Sequence, residues 1–298
     1  MLNTDNRNKL NSTILLFITA LLWSTGGVLI KLISIDPVAI SGFRSLFAAI
    51  VFLPFVGNPL KIKLNKLKFF CALCYASNVI SVVVATKYTT SANAILLQYT
   101  APIYVTLLSG KILGVKGKRS DYYTVFGVLI GMIIFVYDGL TNKNFIGNVL
   151  GMASGVFFAA VILLTKKIHM SSSTISSFEP LFLGNVLTAL LCSPFYFNQS
   201  MGANDIWMLL ALGIFQLGIP YVLYAYGTRY VTAIQTSLIT TLEPILNPVW
   251  VFLVTKELPS LLSLIGGLIV IISLSANYII LGIKQKKDQL KLPIRTDI

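Results

Sequence analysis

Ten apolar runs, each near the length that crosses a bilayer, follow one another with short polar breaks. They cover about residues 12–33, 38–57, 67–87, 91–110, 122–138, 145–166, 174–198, 206–228, 233–255 and 261–283. A hydrocarbon core ~30 Å thick takes about 20 helical residues. Within lipid, backbone N–H and C=O groups are satisfied only by helices or closed barrels. Barrel strands alternate in hydrophobicity, and these runs do not. The expectation is an all-α integral membrane protein with ten transmembrane helices. Composition agrees, since only 11% of residues are charged and 56% are hydrophobic, against roughly 25% charged in soluble domains.

The net charge is +13, which on a soluble face would suggest nucleic acid. Here the bases lie between apolar runs and report orientation instead. With the N-terminus in the cytoplasm, 18 Lys and Arg residues fall on cytoplasmic segments and 4 (Lys31, Lys87, Lys143, Lys256) on the outer side. Arg44 lies within a span. This split predicts both termini inside a cytoplasmic (inner) membrane and disposes of the basic charge without a nucleic-acid partner. The first run follows Arg7 and Lys9 and lacks a clear A-x-A site, so it reads as a retained span, not a cleaved signal peptide.

An internal repeat runs beneath the spans. KYTTSANAILLQYTAPIYV, from Lys87, aligns with RYVTAIQTSLITTLEPILNP, from Arg229, at an offset of 142. An offset of 135 aligns Lys31 with Lys166 and Phe43 with Phe178, and one of 139 aligns Gly127 with Gly266. The expected architecture is two five-helix repeats, 1–140 and 141–298, the second with a basic cytoplasmic tail. Five is odd, so the second copy enters the membrane inverted. Inverted repeats mark secondary transporters that bind substrate near the midplane.

A charge at the bilayer centre costs at least ~2.5–3.5 kcal/mol. Three within the spans therefore need reasons: Arg44, Glu179 and Glu243. Counting along the helices puts Arg44 near the outer face and Glu179 near the inner one, so direct contact between them is not expected. Glu179 is expected to meet Lys166 or Lys167, and Arg44 to meet Asp36 or Asp138 or to snorkel. These are candidate gate or ion-pair residues, either structural or functional.

Glu243 sits in TTLEPILNPVWVF, near mid-depth, with Pro244 and Pro248 freeing backbone carbonyls one turn back. Broken backbone at this depth is tolerated where it faces protein or a cavity. The matching Ala101-Pro102 keeps the proline without the acid. Glu243 is expected either to couple protons or bind a cation, or to anchor neighbouring helices.

Polar and aromatic groups flank the same level. The candidate substrate contacts are Trp23, Ser24, Tyr75, Asn78, Gln98, Tyr99, Tyr221, Tyr224, Thr240, Glu243 and Asn247, with Thr25, Ser81, Asn93, Thr100, Gln216 and Thr236 nearby. Taken singly, each suits an interhelical hydrogen bond; their abundance argues for a polar cavity. Gly127 and Gly131 form G-x-x-x-G, a close-packing signal that suits internal packing or a homodimer face. Cys71, Cys74 and Cys192 read as packing residues and His169 as a loop residue. No metal, bound cofactor or phosphate-binding loop is expected.

These motifs resemble the drug/metabolite transporter superfamily, EamA type. LLWSTGGVLIK at 21–31 is similar to its first-helix pattern, Arg44 to its second-helix arginine, and LEPILNPVWVFLVTKELPSLLSLIGG at 242–267 to its ninth-helix region. One departure is Lys118, where the second copy has Glu257. The resemblance implies a ten-helix carrier of small solutes, often an exporter of amino acids or other metabolites. Its cavity would be lined by the first, third, fourth, sixth, eighth and ninth helices. The function expected is alternating-access transport of a small metabolite such as an amino acid or amine, in the direction of export, with proton coupling or exchange. An enzyme would need facing catalytic acids or a His cluster, and a channel a ring of subunits.

Overall fold

The computed structural model describes residues 2–137, 145–171, 175–197, 199–255, 261–262, 264–273 and 275–276. Secondary structure within them is helical. The helices are α1 (Leu2–Trp23), α2 (Gly26–Leu32), α3 (Pro37–Val56), α4 (Lys66–Tyr88), α5 (Ser91–Gln98), α6 (Ala101–Leu113) and α7 (Arg119–Val136). After them come α8 (Phe145–Ser171), α9 (Ile175–Cys192), α10 (Ala203–Ala211), α11 (Ile219–Gly227), α12 (Ala233–Thr240) and α13 (Leu242–Thr255). A last helix, α14, spans Leu264–Ser273. Seven helices among the described residues are long and apolar enough to cross a membrane. The 91–110 run is split into α5 and α6, and the 261–283 run overlaps α14. Asp138, Lys143, Lys256, Glu257 and the basic C-terminal tail lie outside the described residues.

Local chemistry sets the boundaries. Asp36 caps α3, its Oδ1 accepting from the backbone N–H of Val38 at 2.7 Å and of Ala39 at 3.3 Å, with Pro37 in the first turn where no donor is needed. Asn65 caps α4 through the N–H of Lys68 at 2.8 Å. Gly57 and Gly114 follow α3 and α6 with φ of +79° and +70°, a conformation that a Cβ disfavours.

The two broken elements share one design. Thr90 caps α5 by accepting from Asn93 N–H, and Thr232 caps α12 by accepting from Gln235 N–H, each at 3.1 Å. The two threonines are 142 positions apart. Both short helices run 8 residues. Each breaks just before a proline, Pro102 or Pro244, which has no N–H to continue the ladder. Between α10 and α11, Leu212–Gly218 widens into a π-helical stretch just ahead of Pro220, which likewise frees a carbonyl one turn back.

Packing between early and late elements is reciprocal. α4 packs along α8, α1 along α11, and α3 along α9. α5 and α6 also lie on α8. Close approach uses glycine: a Cβ on Gly155 of α8 would stand 2.8 Å from the Gln98 carbonyl oxygen and 3.0 Å from that of Leu97. A Cβ on Gly131 would stand 2.7 Å from the Gly266 carbonyl oxygen of α14. The G-x-x-x-G face is therefore occupied within the chain. His169 is not in a loop. α8 runs on through Ser171, and the His169 Nε2 lies 3.0 Å from the Thr228 hydroxyl.

Candidate functional site

The helix breaks meet around a narrow pocket of about 40 Å³ in the middle of the bundle. Its lining includes Trp23 beside the α1–α2 break, Gly26 and Gly27 of α2, Arg44 of α3, Asn78 and Val79 of α4, Gln98 of α5, Gln216 of the π-helical stretch, Tyr221 of α11 and Glu243 of α13. Gly26 is there because a side chain would collide with Gln216, whose Nε2 lies 2.5 Å from where a Cβ would be. Gly27 is similarly pressed by Ser91 and Asn247.

Arg44 faces the pocket. Its guanidinium is buried, with Nη1 donating to Gln216 Oε1 and Nη2 to the Val79 carbonyl oxygen, both at 3.4 Å. The side chain thus turns inward, and the expected pairing with Asp36 is replaced, since that carboxylate caps α3. Gln216 in turn donates through Nε2 to the Trp23 carbonyl oxygen at 3.2 Å, which orients its amide with the oxygen toward Arg44. Arg44 Nε and Trp23 Nε1 are buried donors with no hydrogen-bond partner.

Glu243 stands elsewhere on the lining. Its Oε2 accepts from the Tyr99 hydroxyl at 2.6 Å, which joins the two broken elements. Gln98 Nε2 donates to Asn78 Oδ1 at 2.9 Å, so an amide pair forms part of the wall between α4 and α5. Arg44 and Glu243 share the pocket without bridging each other. Lys68 and Glu179 form an ion pair away from it.

The pocket reaches toward one end of the bundle through Ile30, Val82 and Thr86, close to where α2 and α4 stop. An aromatic layer lies on the other side. Tyr221 has its ring centroid 4.7 Å from both Trp23 and Tyr75 and 5.6 Å from Tyr224. Tyr75 also exchanges hydrogen bonds with Asn185. Farther along, Phe178 packs edge-on against Phe52 and Tyr226.

The other candidates lie beside the pocket or far from it. Ser24 Oγ accepts from the Trp250 indole at 2.7 Å, Thr240 donates to the Thr236 carbonyl oxygen of its own helix at 3.1 Å, and Asn247 donates to Ser91 at 3.2 Å. Glu179 meets neither Lys166 nor Lys167; its partner is Lys68 on the neighbouring α4. Lys166 instead donates to the carbonyl oxygens of Thr228 and Arg229 at 2.9 and 3.0 Å. The apolar wall of Ile30, Val79, Val82, Ile95, Phe158 and Leu217 carried no signal that separates it from core. No group of three or more His, Cys, Asp or Glu residues is placed to hold a metal among the described residues.

Comparison with known proteins gives a consistent result. The family model described as "EamA-like transporter family" matches residues 10–137 and 145–279. An uncharacterized transporter of Archaeoglobus fulgidus is 28% identical over 85% of this chain and 91% of its own length. The pseudopaline exporter CntI of Pseudomonas aeruginosa is 23% identical over 61% of this chain and 64% of its own. A solved crystal structure superposes with a TM-score of 0.77 at 16% identity, covering 90% of this chain and 97% of that one.

Proposed function

The chain belongs to the EamA-like transporter family, a multi-pass membrane transporter of the drug/metabolite superfamily, and from that membership we propose a secondary carrier working by alternating access. Ten transmembrane helices form two inverted repeats, 1–140 and 141–298, with both termini in the cytoplasm. The pocket at their interface holds a small metabolite such as an amino acid or amine, the transport direction is export, and Glu243 couples it to protons or to a second solute. The membrane is the cytoplasmic one.

The observation that carries this reading is the burial of Arg44 and Glu243 in one pocket lined from both halves of the chain. Ionisable groups at membrane depth that face a cavity mark transport pathways. Inversion is supported by the reciprocal packing of α4 on α8 and α1 on α11, by the caps at Thr90 and Thr232, and by the two stretches matched by the family model. Orientation is supported by the 18-to-4 split of Lys and Arg. The Pseudomonas relative's description as an exporter supports the direction.

Solute counterflow in proteoliposomes tests it. A carrier shows saturable uptake of labelled solute that is driven by the same solute inside. Uptake that rises linearly with concentration and ignores the internal solute would replace the carrier with a channel. Appearance of a chemically altered solute would make it an enzyme.

A further inference from the structure

A second groove lies apart from the central pocket, where α6, α8 and α12 pack together at one end of the bundle. Its floor is apolar, built from Leu113 at the end of α6, Val115 just beyond it, Met170 of α8, and Ala233 and Ile234 in the first turn of α12. The loop after α6 is pressed onto α12, since a Cβ on Gly117 would stand 2.9 Å from Ile234 Cδ1. The groove holds about 40 Å³, far less than the bulk of a helix about 10–12 Å across. Its mouth is open, with Val115 47% and Met170 59% exposed. Lys166 is the charged side chain in its lining. An ammonium has three donors. Lys166 spends two on the Thr228 and Arg229 carbonyl oxygens at 2.9 and 3.0 Å, and among the described residues no carboxylate pairs with it.

The level of the groove selects its ligand. The apolar runs 91–110, 145–166 and 233–255 all end or begin there, so it crosses the boundary between hydrocarbon and headgroups. The segments beside it carry Lys111, Lys116, Lys118, Arg119, Lys167 and Arg229, all exposed. Asp121, at the start of α7, spends Oδ2 on the Lys118 backbone N–H at 2.8 Å. A soluble anion would leave the apolar floor bare, and a neutral lipid would leave Lys166 without a counterion. Basic pockets between transmembrane helices hold anionic lipid headgroups, and lysine binds phosphate as a point charge. We propose that this groove binds an anionic phospholipid, its phosphate on Lys166 and the first carbons of one chain along Leu113, Met170 and Ile234. On the orientation given above the lipid comes from the cytoplasmic leaflet. The site is separate from the central pocket and does not depend on which solute is carried.

The test titrates the purified full chain in detergent with dioctanoyl phosphatidylglycerol, dioctanoyl phosphatidylcholine and inorganic phosphate, and reads the thermal shift against concentration. Phosphatidylglycerol should stabilise at a midpoint at least tenfold below that of phosphatidylcholine, and inorganic phosphate should not stabilise over the same range. Lys166→Gln should abolish the preference. Val115→Glu places a carboxylate at the open edge, where folding does not depend on it, and should abolish the preference too, while Val115→Gln should keep it. Leu60→Glu, on the same basic side but outside the groove and 96% exposed, should also keep it. Equal midpoints for the two lipids, or a preference that survives Val115→Glu, would overturn the site. Equal loss in Leu60→Glu would overturn it as well, by showing that charge spread over the whole face attracts the lipid. A shift produced by inorganic phosphate at the phosphatidylglycerol midpoint would overturn a lipid as the occupant.

Discussion

Tyr99 and Glu243, 144 positions apart, are joined by a 2.6 Å hydrogen bond between the phenol and the Oε2 carboxylate oxygen. One closes α5 at its break, and the other opens the first turn of α13. The bond therefore ties the two helix breaks to one another and fixes where the acid meets the pocket.

Separating charge from hydrogen bonding tests Glu243. Glu243→Gln retains an oxygen that accepts from Tyr99, so the fold should hold within a few degrees of the parent melting temperature. Transport should fall at least tenfold and lose its pH dependence. Tyr99→Phe keeps the charge but leaves a buried acceptor without its donor, a loss of about 1–3 kcal/mol, and should lower the melting temperature more than Glu243→Gln does. Wild-type flux and pH profile in Glu243→Gln would contradict the coupling role.

A glycine supports the first break. A Cβ on Gly155 would stand 2.5 Å from Thr100 Oγ1 and 2.8 Å from the Gln98 carbonyl oxygen. Gly155→Ala should cost about 1–3 kcal/mol through overpacking, and Gly155→Val more. Thermal unfolding in detergent reads the difference. Gly110 of α6, where a Cβ would meet only Lys116 Cγ at an ordinary 3.5 Å, gives the comparison position, and Gly110→Ala should not lower the melting temperature, since alanine favours a helix over glycine.

How much of this was legible in the sequence depends on the residue. Pro102 and Pro244 mark their breaks because a missing N–H acts locally, and the offset of 142 carries over to the caps at Thr90 and Thr232. Glu243 is anticipated by depth along one apolar run. Arg44 is not, because depth counts residues along an axis and is silent about rotation. Its side chain turns from a near-terminal position in α3 toward Gln216 of a helix far along the chain. Sequence order points Glu179 to Lys166 and Lys167, whereas its partner Lys68 comes from a neighbour in space. Phe158 and Leu217 are apolar residues in apolar runs, and only the fold distinguishes wall from core.

Lys31 and Lys166 make corresponding contacts. Lys31 donates to the Thr89 carbonyl oxygen at 2.8 Å, just past α4, and Lys166 to the Thr228 carbonyl oxygen at 2.9 Å, just past α11. On the proposed orientation these fasten opposite mouths. Lys31→Met should speed outside labelling of a cysteine placed at pocket residue Thr86 by an impermeant maleimide, and Lys166→Met should not. Equal acceleration by both would show that the contacts are structural only.

Lys68 and Glu179 are mostly buried, at 9% and 13% side-chain exposure. Removing one partner leaves a charge without its counterion, whereas removing both does not. Lys68→Met and Glu179→Gln should each destabilise by roughly 1–3 kcal/mol, and the double variant should recover part of that loss. Additive losses in melting temperature would show that the pair is not coupled.

Accessibility of the central pocket tests the account most directly. Val79 lines it and can carry a single cysteine once Cys71, Cys74 and Cys192 are replaced. If one pocket alternates between two faces, Val79→Cys reacts with impermeant maleimide from either side of a sealed vesicle, and a transported solute slows both reactions. Reaction from one side alone, whatever solute is present, would contradict it.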